Sequence, residues 1–246
     1  MKKLLSLTCA AILSVPAISM ADTLSVAIGG GVWKEDPSGY FRNASTGDLT
    51  DVDLKNDLFW KEENQGYLFI TFEHPVPIIP NVRILTTSLD HSGSGTASFV
   101  LDGKTFTGDV ASSGSFDQTD ITAYWEVLDN VVSLDLGLNV KFLDFSYSVA
   151  STGQSTSDSV DATIPMLYGL VGVSPIPDLI LSLEANYVSI DGNSLTDLAA
   201  KVAYTTNFHV GFEGGYRSQS YKLDDVDGYF GKLDFEGPFL GAYVKF

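Results

Sequence analysis

From residue 131 to 142 the chain reads V-V-S-L-D-L-G-L-N-V-K-F. Val132, Leu134, Leu136, Leu138, Val140 and Phe142 are apolar, and Ser133, Asp135, Gly137, Asn139 and Lys141 between them are polar or small. A period of two predicts a strand with one apolar and one polar face. Ten steps of roughly 3.3 Å make it about 33 Å long. Tilted by about 40°, it rises about 25 Å, the height of the apolar band on an outer-membrane barrel.

The same alternation predicts strands at 23–33, 65–73, 81–91, 116–127, 160–173, 179–190, 196–204, 208–221 and 232–246, ten in all. In 116–127, Ile121, Ala123, Trp125 and Val127 point outward, and Gln118, Asp120, Thr122, Tyr124 and Glu126 inward. In 196–204 the outward set is Leu198, Ala200, Val202 and Tyr204, and the inward set Asp197 and Lys201. In 208–221 it is Phe208, Val210, Phe212 and Tyr216 against His209, Glu213, Arg217 and Gln219. The facing of 81–91 stays open, because Val82 and Ile84 oppose Leu85 and Leu89 in parity. Pro165 and the pair Gly237-Pro238 suggest bulges. Short connections at 74–81, 128–131, 174–178 and 205–207 alternate with long ones at 34–64, 92–115, 151–159 and 222–231, while 191–193 is brief. Within 92–115, Asp102-Gly103 marks a two-residue hairpin, read here as projecting from the wall. Aromatics suited to the two membrane girdles are Phe72, Trp125, Tyr204, Phe208 and Phe246 at one rim, and Phe142, Tyr187 and Tyr216 at the other.

Composition adds the compartment. Lys2 and Lys3, the apolar run 4–18 and the small residues around Ser19-Met20-Ala21 form a secretory signal with cleavage after Ala21. The predicted organisation is a signal peptide at 1–21 and one domain at 22–246. Cys9 lies in the signal, so the mature chain would have no thiol. After Ala21 no run approaches the roughly 18 apolar residues of a spanning helix. An exported membrane chain without such a helix has a closed barrel as its remaining option. The predicted fold is therefore all-β: a transmembrane up-and-down antiparallel β-barrel of ten strands, with eight or twelve as alternatives. Short turns face the periplasm, which puts both termini there. The net charge of −17 opposes nucleic-acid binding.

The closing segment L-G-A-Y-V-K-F, with Leu240, Ala242, Val244 and Phe246 on one face, resembles the C-terminal signal of Gram-negative outer-membrane barrels. That resemblance implies recognition by the barrel assembly machinery and escort by periplasmic chaperones. V-D-L-K-N-D-L at 52–58 and E-H-P-V-P-I-I-P-N at 73–81 are similar to motifs of a family of small outer-membrane proteins without assigned activity.

Candidate chemistry is sparse. The inward charges Asp120, Glu126, Asp135, Lys141, Glu184, Asp197, Lys201, Glu213 and Arg217 would either salt-bridge and stiffen the interior or line a narrow polar channel. Asp90-His91 with Asp117 and Asp120 matches, in residue types alone, the Asp–His and Asp–Asp pairs of ten-stranded outer-membrane proteases. Neighbours on a strand face opposite ways, which argues against it. His74 and His209 read as turn or interior partners. Asp224-Asp225-Val226-Asp227-Gly228 lacks the acid spacing of a calcium loop and reads as a solvated acidic turn. The expected role is structural or surface-binding through 34–64 and 92–115, in a monomer among outer-membrane lipids and lipopolysaccharide. No cofactor or enzymatic activity is expected. A porin-like channel and a protease or lipid-modifying hydrolase are the alternatives.

Overall fold

A computed structural model describes residues 24–246; the predicted signal peptide, its cleavage point Ala21 and Cys9 lie outside them. The chain forms one antiparallel sheet: β1 (Ser25–Asn43), β2 (Val52–Asp53), β3 (Glu63–Glu73), β4 (Asn81–Leu101), β5 (Lys104–Asp129), β6 (Val132–Ser151), β7 (Gln154–Ile176), β8 (Leu179–Ile190), β9 (Asn193–Thr205), β10 (Val210–Val226) and β11 (Tyr229–Lys245). Every long strand pairs with its sequence neighbour, and β11 pairs with β1, so the strand order returns on itself. The eleventh strand is only a two-residue addition, β2, lying on Tyr40-Phe41 of β1. No helix among the described residues is long and apolar enough to cross a membrane.

Side-chain parity is constant along each strand. Odd residues of β4 face inward, from Asn81 through Arg83, Leu85, Thr87, Leu89 and His91 to Leu101. This settles the strand whose facing the sequence left open. Polarity, not parity, changes along it: Ile84 is exposed on the outer wall, while Leu89 is buried inside. The same reason removes the expected bulge at Gly237-Pro238. Tyr216↔Pro238, Arg217↔Gly237 and Ser218↔Glu236 run in unbroken register, and the apparent slip comes from Leu233 and Phe235 facing an apolar interior. Pro165 also keeps register, opposite Val140, with its ring on the outer face. The actual register shifts lie at Glu126/Leu128, Val173/Ile176 and Asp224/Val226.

Most of the expected long loops are strand. β1 runs on to Asn43, and β4 and β5 stay paired from Asn81↔Tyr124 to Leu101↔Lys104. The turns that join these extensions are tight. Asp102-Gly103, Asp191-Gly192 and Asp227-Gly228 all have both residues at positive φ, the hairpin geometry that Asp-Gly favours. The acidic segment 224–228 is thus largely a hairpin end. The β4–β5 tip does not project: Phe99, Leu101 and Phe106 are buried, and both backbone amides of the turn donate to the Asp48 carboxylate.

The interior therefore has two storeys. Level with the exposed apolar band (Ile28, Val32, Leu68, Leu136, Leu183, Leu240) the inner face is polar. Above that band it is an apolar core, and the segment 44–62 folds into it, burying Val52, Leu54, Leu58 and Trp60. Small residues make the room. A Cβ on Gly93 would lie 2.2 Å from the Leu58 carbonyl oxygen, and one on Gly114 would lie 2.3 Å from the Trp60 ring.

Candidate functional site: a charge-paired interior

Four basic and four acidic side chains meet inside the lower storey. Lys141 Nζ lies 2.7 Å from Asp120 Oδ2 and 3.6 Å from Asp197 Oδ2. Arg217 grips Asp197 with two bonds, Nε to Oδ1 at 3.0 Å and Nη2 to Oδ2 at 2.7 Å. Gln219 donates to Asp197 at 2.7 Å and to Gln118 at 3.0 Å, and Gln118 accepts from Lys141 at 3.0 Å. Asn139 donates to Asp120 at 2.6 Å. A second pair lies lower, Arg83 to Glu184 at 2.7 and 2.8 Å. Tyr67 donates to Glu213 at 2.7 Å, and Lys201 stands 3.8 Å from Glu213. Buried charges persist only with partners, and alternation on β5, β6, β9 and β10 supplies these from facing walls. The space left among these groups is about 50 Å³, room for no more than a water or two.

Of the nine predicted inward charges, Asp120, Lys141, Glu184, Asp197, Lys201, Glu213 and Arg217 converge here, and Asp135 is buried on the same inner face. Glu126 is not enclosed: it sits exposed at the open end of β5, where the register with β6 shifts. His209 is not on the inner face of a strand, as its parity predicted, but keeps to the turn reading. β10 begins at Val210, and His209 is an exposed turn residue with φ +63°. Its amide donates to the Thr206 carbonyl and its own carbonyl accepts from Lys245. Sequence reasoning missed Arg83, Tyr67 and Glu35. Counting odd positions upward from Asn81 would have found Arg83, had Leu85 and Leu89 not blurred the polar face.

The catalytic-type constellation does not assemble. His91 is buried and Asp120 is occupied by Lys141 and Asn139, while Asp90 and Asp117 lie on the outer face. Asp90 accepts from Ser115 at 2.8 Å, and Asp117 accepts from the Ser88 hydroxyl. His91 Nε2 instead meets Glu35 Oε1 at 2.6 Å, both side chains wholly buried, although the pair is not aligned for an ideal hydrogen bond. Burial pushes the Glu35 carboxyl up, and the facing imidazole offsets part of that rise. His74 serves its turn: its amide donates to Asn81 Oδ1 at 3.0 Å, and its Nδ1 accepts from Val76 at 3.2 Å. No group of metal-ligand type occurs among the described residues.

No family model matches the chain, and no curated protein matches it. Among solved structures, the outer membrane protease OmpT from Escherichia coli superposes with a TM-score of 0.56 at 11% identity, over 92% of this chain and 98% of that one. The fold is that of an outer-membrane β-barrel. The attachment invasion locus protein Ail of Yersinia pestis (13% identity, 92% and 100% covered) and the translocator domain of NalP from Neisseria meningitidis (14%, 93% and 91%) align at TM-scores of 0.40 and 0.38. At these identities the likeness concerns the fold.

Proposed function

We propose that this chain is an integral outer-membrane barrel whose wall is closed by ten strands, with β2 an inward addition, and whose role is structural or surface-binding rather than conducting or hydrolytic. One observation carries the reading: the interior is obstructed at two levels, by the charge-paired side chains around Lys141 and Arg217 and by the segment carrying Leu54, Leu58 and Trp60. A pore needs a wet path lined by unpaired polar groups. A hydrolase needs its acid and base to reach a substrate, and His91 lies beneath Trp60.

The exposed band supports a hydrocarbon environment, since a soluble protein rarely shows so continuous an apolar surface. The short turns at 74–80, 130–131, 177–178 and 206–209 share the end that carries both chain ends, which supports periplasmic termini. Leu240, Ala242, Val244 and Phe246 lie on the outer wall of β11, and Phe246 exchanges two backbone hydrogen bonds with Val26 at the closing seam. This arrangement supports their reading as the segment recognised by the assembly machinery, with lipopolysaccharide and lipids as lasting neighbours and a monomeric state. The two short motifs keep structural roles, one as the interior segment and one as the His74–Asn81 turn. This fits the small barrel family without assigned activity. Surface contacts would use the extended β4–β5 wall, whose outer face carries Thr96, Ser98, Thr105, Thr107 and Asp109.

The test is reconstitution of the refolded chain in planar bilayers, with heat-modifiable gel migration as the check on folding. The expected result is a heat-modifiable barrel without single-channel steps. Regular conductance steps from such a barrel would overturn the closed-interior reading.

A further inference from the structure

Neighbouring strands part company in two places. Between β3 and β4 pairing stops at Tyr67↔Thr87, and the chain's own Leu58–Trp60 segment packs against the β4 residues above. Between β7 and β8 it stops at Leu167↔Tyr187, although β7 extends back to Gln154 and there pairs with β6 alone. Behind this second opening lies a cavity of about 400 Å³, within the range of about 300–1,000 Å³ typical of small-molecule sites.

Its walls are apolar, with Leu143, Phe145, Val160, Ala162, Ile164 and Leu195 among them. Its polar lining is Thr163, on the outer face of β7, Asn193, the first residue of β9, and the charged Asp191, Lys222 and Asp227 among others. The opening starts immediately above Leu167 and Tyr187, both exposed on the outer wall at the top of the apolar band. The cavity is thus continuous with the surface that faces lipid. Tyr221 contributes to the lining, while its hydroxyl is walled off from the open space.

We propose that this cavity binds a single fatty acyl chain that enters sideways from the outer leaflet through the β7–β8 gap. The inference rests on the membrane-embedded reading above. The chain replaces water against apolar walls, which is the dominant favourable term in such binding.

The experiment uses the full mature chain in phospholipid vesicles containing palmitic acid with a mid-chain diazirine, irradiated and mapped by mass spectrometry. A parallel arm places the same diazirine chain in a phospholipid. Label is expected on 143–145 and 160–164 from the free acid. Label there from the phospholipid as well would identify an esterified chain as an accepted source. Ala162→Trp, which fills the cavity, should cut this inner label at least tenfold and leave label on Leu167 and Leu183 unchanged. Tyr221→Phe, which keeps the shape and removes a hydroxyl that does not reach the cavity, should leave it unchanged. Label confined to outward-facing residues, or inner label indifferent to Ala162→Trp, would overturn the proposal. If the barrel is heat-modifiable and inserted yet unlabelled inside, this inference alone fails. If the chain does not insert, the membrane reading fails and takes this one with it.

Discussion

The indole of Trp60 lies over the imidazole of His91, ring centroids 5.2 Å apart and planes 14° from parallel. Phe235 stacks near the same imidazole at 6.0 Å. A residue from the segment between β1 and β3 thereby seals the buried Glu35–His91 pair. Trp60 is itself held by its Nε1 donating to Ser112 Oγ at 3.1 Å. Trp60→Ala should cost about 3–5 kcal/mol, as large-to-small core changes do, measured by urea unfolding in detergent. Gly114→Val should act similarly by pushing the ring out. A loss under 1 kcal/mol in both would mean that the segment is not anchored there.

Arg217 and Asp197 should behave asymmetrically. Arg217→Gln leaves Asp197 buried with only part of its compensation, and breaking one side of a buried pair costs about 3–5 kcal/mol. Combining it with Asp197→Asn should recover much of that loss, because the remaining groups are neutral amides able to bond with one another. A double-mutant cycle on unfolding midpoints checks this, and strict additivity would contradict the network.

At the outer end, Tyr147 donates to Asp102 at 2.8 Å and Tyr229 donates to Asp158 at 2.6 Å. Burial first, then these hydrogen bonds, raise both phenols above the ordinary tyrosine value. The sign follows from linkage. Below pH about 10 both phenols are neutral in either state, and their contribution is fully present. As pH rises further the unfolded chain loses its protons first, so native stability falls towards the raised native values. Unfolding midpoints between about pH 9 and 11 should therefore drop, and Tyr147→Phe should flatten the slope. An unchanged slope would contradict the assignment.

On the outer wall just above the apolar band, Asp117 pairs across strands with Asp144, and Asp144 with Asp161. Like charges directly opposite one another destabilise a sheet. Asp144→Asn should therefore raise stability by a few tenths of a kcal/mol at low salt. The gain should shrink near 1 M salt, where screening acts over about 3 Å. A loss of stability at low salt would mean that this row is compensated from outside the chain.

Alternation along the chain was enough to read the period-two wall: which residues of β5, β6 and β9 face outward, that Lys141 and Asp197 face in, and that Phe246, just beyond β11, is outward. Local alternation carries that information because adjacent residues must point to opposite sides. The reach of the strands was only partly legible. The Asp-Gly signal at 102–103 was visible, but Asp191-Gly192 and Asp227-Gly228 end hairpins just as tight. That Leu89, Phe99 and Phe235 are interior came from long-range packing, because above the band the apolar side of these strands changes from the outer to the inner face. It also decided that Leu54, Leu58 and Trp60 fill one seam while the seam beside Leu167 stays open. Both depend on contacts between segments far apart in the chain, and no pattern within a single strand records which neighbour it will meet.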